Sequence, residues 1–92
     1  MAEDFIFIAT NARSMKATTI DDVILYLDQI IEESKKEGSY MGYFPALYRK
    51  VTIRVKQGIE NGEFEDGPRM EMLDVRFANR YLEAYFLYKS NL

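Results

Sequence analysis

Cysteine is absent from the 92 residues, and so is histidine. Without cysteine there is no disulfide frame, no thiolate metal site and no sulfur nucleophile. Without histidine the chain lacks the commonest general base and metal ligand near neutral pH, so any catalysis would rest on carboxylates, Tyr, Lys or Arg. Long apolar runs are also missing: nothing approaches the roughly 18 residues that span a bilayer. The longest block near the start, Phe5-Ile6-Phe7-Ile8-Ala9, is short and follows Glu3-Asp4. A signal peptide would carry a basic leader and a longer apolar stretch, so the expectation is a mature, non-exported, cytoplasmic protein with no membrane partner.

Other absences narrow the chemistry. There is no Gly-rich phosphate loop, no nucleophile elbow and no metal-ligand spacing. The segment Gly62-Glu63-Phe64-Glu65-Asp66-Gly67 is too acidic to cradle phosphate. A carboxylate-bridged metal pair in a helical bundle needs Glu-x-x-His on two helices, which is not present, so neither metal nor cofactor is expected. A net charge of −3 argues against nucleic acid as a partner. The basic residues Arg49, Lys50, Arg54 and Lys56 spread around their helix without forming one ridge, and pairing with acidic neighbours suits them better than phosphate tracking.

What is present is the composition of a globular chain, 48% apolar and 29% charged, of a size that supports one small core. Thr19-Ile20-Asp21-Asp22 places a hydroxyl cap three positions before a carboxylate, which predicts a helix start. Ile20, Val23, Ile24, Leu27, Ile30, Ile31 and Ser34 then share one stripe about 120° wide at the helical step, and Gly38 supplies the stop. The first helix is therefore predicted over about 19–37. Pro45 suits an early helical turn and Gly62 a terminus, giving a second helix over about 43–61. Its apolar face is predicted to hold Phe44, Leu47, Tyr48, Val51, Val55 and Ile59, with Gly58 there allowing close helix approach. An acidic or glycine cap followed by Pro68 opens a third helix over about 68–89.

These elements predict an all-α, three-helix antiparallel bundle. With no repeat or linker, the chain divides into an N-terminal arm, residues 1–17, and a helical domain, residues 18–92. The arm's apolar block fits a buried strand or a docked segment, and with no second strand candidate a docked segment is favoured; Asn11 to Ala17 reads as loop.

The third helix is unusual, because its apolar residues divide into two sets. Met70, Leu73, Phe77, Tyr81, Ala84, Tyr85 and Tyr88 form one face. Met72, Val75, Leu82 and Phe86 form another, centred roughly 160° away. A helix in a three-helix bundle meets its neighbours along adjacent flanks, so the far set is expected to need a further partner. Leaving it wet would forgo about 1.5 to 3 kcal/mol per large side chain, against a total of about 5 to 15 kcal/mol. The candidates are the N-terminal arm, a second copy of the chain, or a further helical portion; scattered exposed hydrophobics are the plainer alternative. Asn79 lies within the far set and is predicted to fix register at an interface, as single buried Asn residues do in coiled coils. The predicted interface is Met72, Val75, Asn79, Leu82 and Phe86.

Asp74 falls between Met70, Phe77 and Tyr81, so its carboxylate must find a partner or shift its pKa upward. A functional reading places Asp74 with Tyr48, Arg49 and Arg80 in a ligand pocket. A structural reading makes it a bond locking two helices. Arg76 or Arg80 could pair with Glu83 at helical spacing.

The runs Ala46-Leu47-Tyr48-Arg49-Lys50-Val51-Thr52, Phe64-Glu65-Asp66-Gly67, Arg69-Met70-Glu71 and Leu73-Asp74-Val75-Arg76-Phe77-Ala78-Asn79-Arg80-Tyr81-Leu82, with Thr19 to Val23 and Gly42-Tyr43-Phe44, resemble domain of unknown function 5995 over about residues 18–88. The resemblance implies an all-helical fold and no established activity. It also implies further helices carrying histidines beyond this point, so the chain reads as the front part of a larger fold or as a short form that self-associates. The expected function is a helical association module, homo-oligomeric or completed by another helical portion. An enzyme or small-ligand protein with a helix-bundle pocket is the alternative.

Overall fold

The structure, a computed structural model, describes residues 16–90. It holds three helices: α1 (Ile20–Glu37), α2 (Tyr43–Glu60) and α3 (Gly67–Ser90), with a 3-10 turn at Tyr40–Gly42 leading into α2. The expectations for Phe5 to Ile8 fall outside the described residues.

The helix boundaries follow from local chemistry. Thr19 caps α1, its hydroxyl accepting from the Asp22 N–H at 3.1 Å, while the Asp22 carboxylate accepts from the Thr19 N–H at 3.3 Å. This reciprocal box satisfies amides that the first turn leaves without partners. Asp22 also accepts from the backbone and hydroxyl of Thr18, and these hydrogen bonds hold its carboxyl below the usual range. At the other end Gly38 adopts φ 66°, which a side chain would resist, and the Ser39 N–H closes onto the Ser34 carbonyl at 2.8 Å. Gly62 ends α2 similarly at φ 70°, with the Glu63 N–H bonded to the Gly58 carbonyl at 2.8 Å. Asp66 accepts from the Arg69 N–H at 3.1 Å and so caps α3, with Pro68 in its first turn.

The core is the layer where α1 lies across α2 and α3. Val23, Leu27 and Ile30 of α1 meet Ala78 and Leu82 of α3 with essentially no exposure, joined by Ile20, Tyr48, Val75 and Tyr85. Thr52 is fully buried on α2, its hydroxyl donating back to the Tyr48 carbonyl at 2.8 Å. Ion pairs rim this layer: Asp28 with Arg49, Asp21 with Lys56 at 2.7 Å, and Lys89 with Glu37 at 2.8 Å. The basic residues Arg49 and Lys56 thus pair with α1, as their spacing suggested.

The two faces of α3 do not keep the roles expected of them. Val75 and Leu82 of the far set are core residues covered by α1 of the same chain, and Phe86 packs against that core. Met72, from the same set, is exposed. Asn79 is likewise engaged within the chain: its amide donates to the Ala17 carbonyl at 2.9 Å and its oxygen accepts from the Ala17 N–H at 2.8 Å. Glu71, one helical turn before Val75, accepts from the Ile20 N–H at 2.9 Å. These two polar side chains hold the start of α1 against the far face, which explains why that face is the inner one. The set read as the main face splits instead: Tyr85 is buried and Tyr81 half-buried, whereas Leu73, Phe77 and Tyr88 are exposed.

The expected face of α2 is also rotated. Its buried residues are Pro45, Tyr48, Thr52 and Gly58, whereas Phe44, Leu47 and Val51 are exposed. Gly58 does allow a close approach, but to the turn and not to a helix: a Cβ there would stand 2.7 Å from the Phe64 ring.

Removing the Asn79 clamp should be costly for its size. Asn79→Ala leaves both polar groups of the part-buried Ala17 backbone unpaired, and we expect a loss of about 1–3 kcal/mol, read from the urea midpoint. Leu82→Ala, at the centre of the core, should cost about 2–5 kcal/mol by the same measurement.

Candidate docking face

Because α1 occupies one side of the α2–α3 pair, the apolar residues on the other side have no covering helix among the described residues. On α2 these are Phe44, Leu47 and Val51, which fall on one edge at the helical step; on α3 they are Leu73, Phe77 and Tyr88. Aromatic contacts join the two edges into one surface. Phe44 stacks on Tyr81 with ring centres 4.7 Å apart and planes 17° from parallel. Tyr48 meets Phe44 and Phe77 edge-on at 5.7 and 5.9 Å. Leu47 is 66% exposed and Phe77 63%, although both neighbour buried Tyr48. Tyr40, in the turn before α2, and Tyr43, its first residue, are exposed as well.

Contiguity distinguishes this surface from ordinary scattered hydrophobics. Single exposed apolar residues are common on stable proteins, whereas a joined patch marks a place where another surface is accommodated. Sequence periodicity identified most of these residues as apolar faces but directed them inward.

Beneath the patch, the seam between α2 and α3 holds two unpaired polar atoms, the Tyr48 hydroxyl and Asp74 Oδ2. Burial, with a smaller contribution from the Asp74 charge, pushes the Tyr48 hydroxyl up to about 12. Burial also raises Asp74, and the nearby charge of Glu71 adds to this. Tyr81 is pushed up to about 12, first by burial and then by Tyr85. At neutral pH both tyrosines are therefore neutral donors.

Of the four residues expected to share a pocket, the structure brings Tyr48 and Asp74 to one seam. Arg49 is turned away to pair with Asp28 on α1, and Arg80 lies on the exposed flank of α3. Neither Arg76 nor Arg80 forms an ion pair with Glu83. Asn79 is expected from the sequence to fix register at an interface and instead pairs with the Ala17 backbone, while the anchoring role of Glu71 goes unread; their place on either flank of Val75 and Leu82 was the available signal. Among the described residues no cluster of three or more His, Cys, Asp or Glu could hold a metal ion. No helix there is long and apolar enough to cross a membrane.

The Asp74 environment has a definite consequence for stability. A carboxyl whose folded pKa is raised binds its proton more tightly when folded, so its ionisation opposes folding. That opposition is complete above the folded pKa and disappears as pH falls below the ordinary aspartate value of 3.8. Asp74→Asn should therefore raise the urea midpoint at pH 7, and its advantage over the unaltered chain should vanish in acid.

No curated protein and no solved structure is matched by this chain. A family model described as a family of unknown function (DUF5995) matches residues 20–92, which include all three helices and the α2–α3 seam. The chain belongs to that family of unknown function (DUF5995).

Proposed function

We propose that this protein is a helical association module whose docking surface is the α2–α3 face opposite α1. The observation that carries the reading is the pair of exposed apolar edges, Phe44, Leu47 and Val51 on α2 and Leu73 and Phe77 on α3, bridged by the ring contacts of Phe44, Tyr48, Phe77 and Tyr81, on a chain that otherwise buries a continuous core. Covering it with an apolar partner would contribute roughly 25 cal/mol per Å² removed from water, less the cost of ordering the partner. Two helix edges with a seam between them also suit a helix laid into a groove, where apolar anchors recur at i, i+3, i+4 and i+7.

A second reading is supported by the unpaired Tyr48 hydroxyl and Asp74 oxygen. On it, a small ligand completes the seam, with Asp74 as acceptor and Tyr48 as donor, and an added portion or subunit closes the pocket. The two readings separate by mutation. Asp74→Asn should leave association intact under the first and abolish ligand binding under the second.

The test of the association reading uses amphipathic helical peptides with leucine at i, i+3, i+4 and i+7, titrated against the full chain by fluorescence anisotropy. We expect saturable binding that is lost in the Leu47→Asp, Phe77→Asp double variant. Because both positions are exposed, that variant should keep its helical circular dichroism and a cooperative urea transition. Absence of binding, or binding that survives both substitutions, would contradict the reading.

A further inference from the structure

The charges around the docking face identify the kind of helix it fits. At the helical step, Lys50 borders the apolar edge of α2, while Arg76 and Arg80 border that of α3; all three are exposed. None of the three forms an ion pair among the described residues. Arg54 also lies by this edge but is already paired with Glu63 at 2.9 Å. Asp74 lies in the seam beneath the face; of the other acids, Glu63, Glu65 and Asp66 are confined to the turn between the two helices, and Glu83 lies next beyond Arg76, about 20° farther round α3 at the helical step. The face is therefore an apolar strip with a basic border, on a chain whose net charge is −3.

The opposite side of the same helix pair shows which charges complement these helices. There the occupant is α1, an amphipathic helix whose apolar stripe packs inward and whose polar flanks carry Asp21, Asp28, Glu33 and Glu37. Those acids meet Lys56, Arg49 and Lys89 across the edges of the contact. The described residues of a second copy lack this complement. Pairing like face with like face sets basic border against basic border, at close range and against the Coulomb term. Offering the outer side of α1 instead supplies acids, but the exposed large apolar residue on that helix is Leu25 alone.

Resting on the association reading, we infer that the α2–α3 face takes an acidic amphipathic helix from a different chain. Its leucine-like stripe lies along the seam over Phe44, Leu47, Leu73 and Phe77. Its carboxylates flank the stripe and reach Lys50 on one side and Arg76 and Arg80 on the other. Charge at the border selects the partner and speeds encounter, while the apolar strip supplies the larger part of the affinity.

The test uses the full chain and two designed helical peptides with the same leucine stripe, one flanked by glutamate and the other by lysine. Titrations are run at about 0.05 M and about 0.5 M salt, where screening differs several-fold. The glutamate peptide should bind at least about tenfold tighter at low salt, with the gap narrowing at high salt. The Lys50→Glu, Arg80→Glu variant should reverse the preference while keeping its helical circular dichroism. Equal binding of the two peptides, or preference for lysine, would overturn the charge inference and leave the association reading standing. Binding of neither peptide would overturn both. Two further results would overturn the inference: tighter binding to phosphatidylserine vesicles or a single-stranded oligonucleotide than to the glutamate peptide, and dimerisation by light scattering that blocks the peptide.

Discussion

One helix cannot cover two sides of a pair. The arrangement of this chain follows from α1 lying across a single side of α2 and α3, where Val23, Leu27 and Ile30 form one core with Tyr48 of α2 and Ala78 and Leu82 of α3. That contact supplies the core and sets the rotation of both partner helices. It also leaves their opposite edges facing outward with apolar side chains that have no third layer to enter. The exposed surface is therefore a geometric consequence of three amphipathic helices of which two are apolar over more of their circumference than this packing uses.

What fixes the side on which α1 sits is polar, not apolar. Asn79 grips the Ala17 backbone with a donor and an acceptor together, and Glu71 accepts the first amide of α1. Both reach from α3 to the start of α1 and satisfy groups that would otherwise be lost on burial. The ion pairs along α2 and at Lys89 then align the charged flanks. Hydrophobicity alone is a weaker guide to the side α1 takes, since the outward edge bearing Leu47 and Phe77 is apolar as well.

This division explains what was legible in the sequence. Helix boundaries were, because caps and stops are local: the Thr19–Asp22 box, Gly38, Pro45, Gly62 and Pro68 each act within a turn of themselves. The inner stripe of α1 was also legible, because that helix has only one. The presence of two apolar faces on α3 could be read, but not their assignment, since periodicity reports that a face is apolar and not which neighbour it meets. Asn79 drew attention as a polar group among apolar ones, yet its partner is 62 positions away, and spacing along one helix carries no information about so distant a contact. For the same reason Tyr48 and Asp74 could be placed near each other, while the diversion of Arg49 to Asp28 could not be foreseen from either helix alone.

On the proposed reading, another helix comes to rest on the α2–α3 edge and not on the outer side of α1. Amide and methyl resonances of the full chain, followed as an acidic amphipathic peptide is added, test this directly. Shifts should concentrate at Leu47, Val51, Leu73 and Phe77 and leave Leu25 and its neighbours on α1 unmoved. Shifts centred on α1, or none along the α2–α3 edge at saturating peptide, would contradict it.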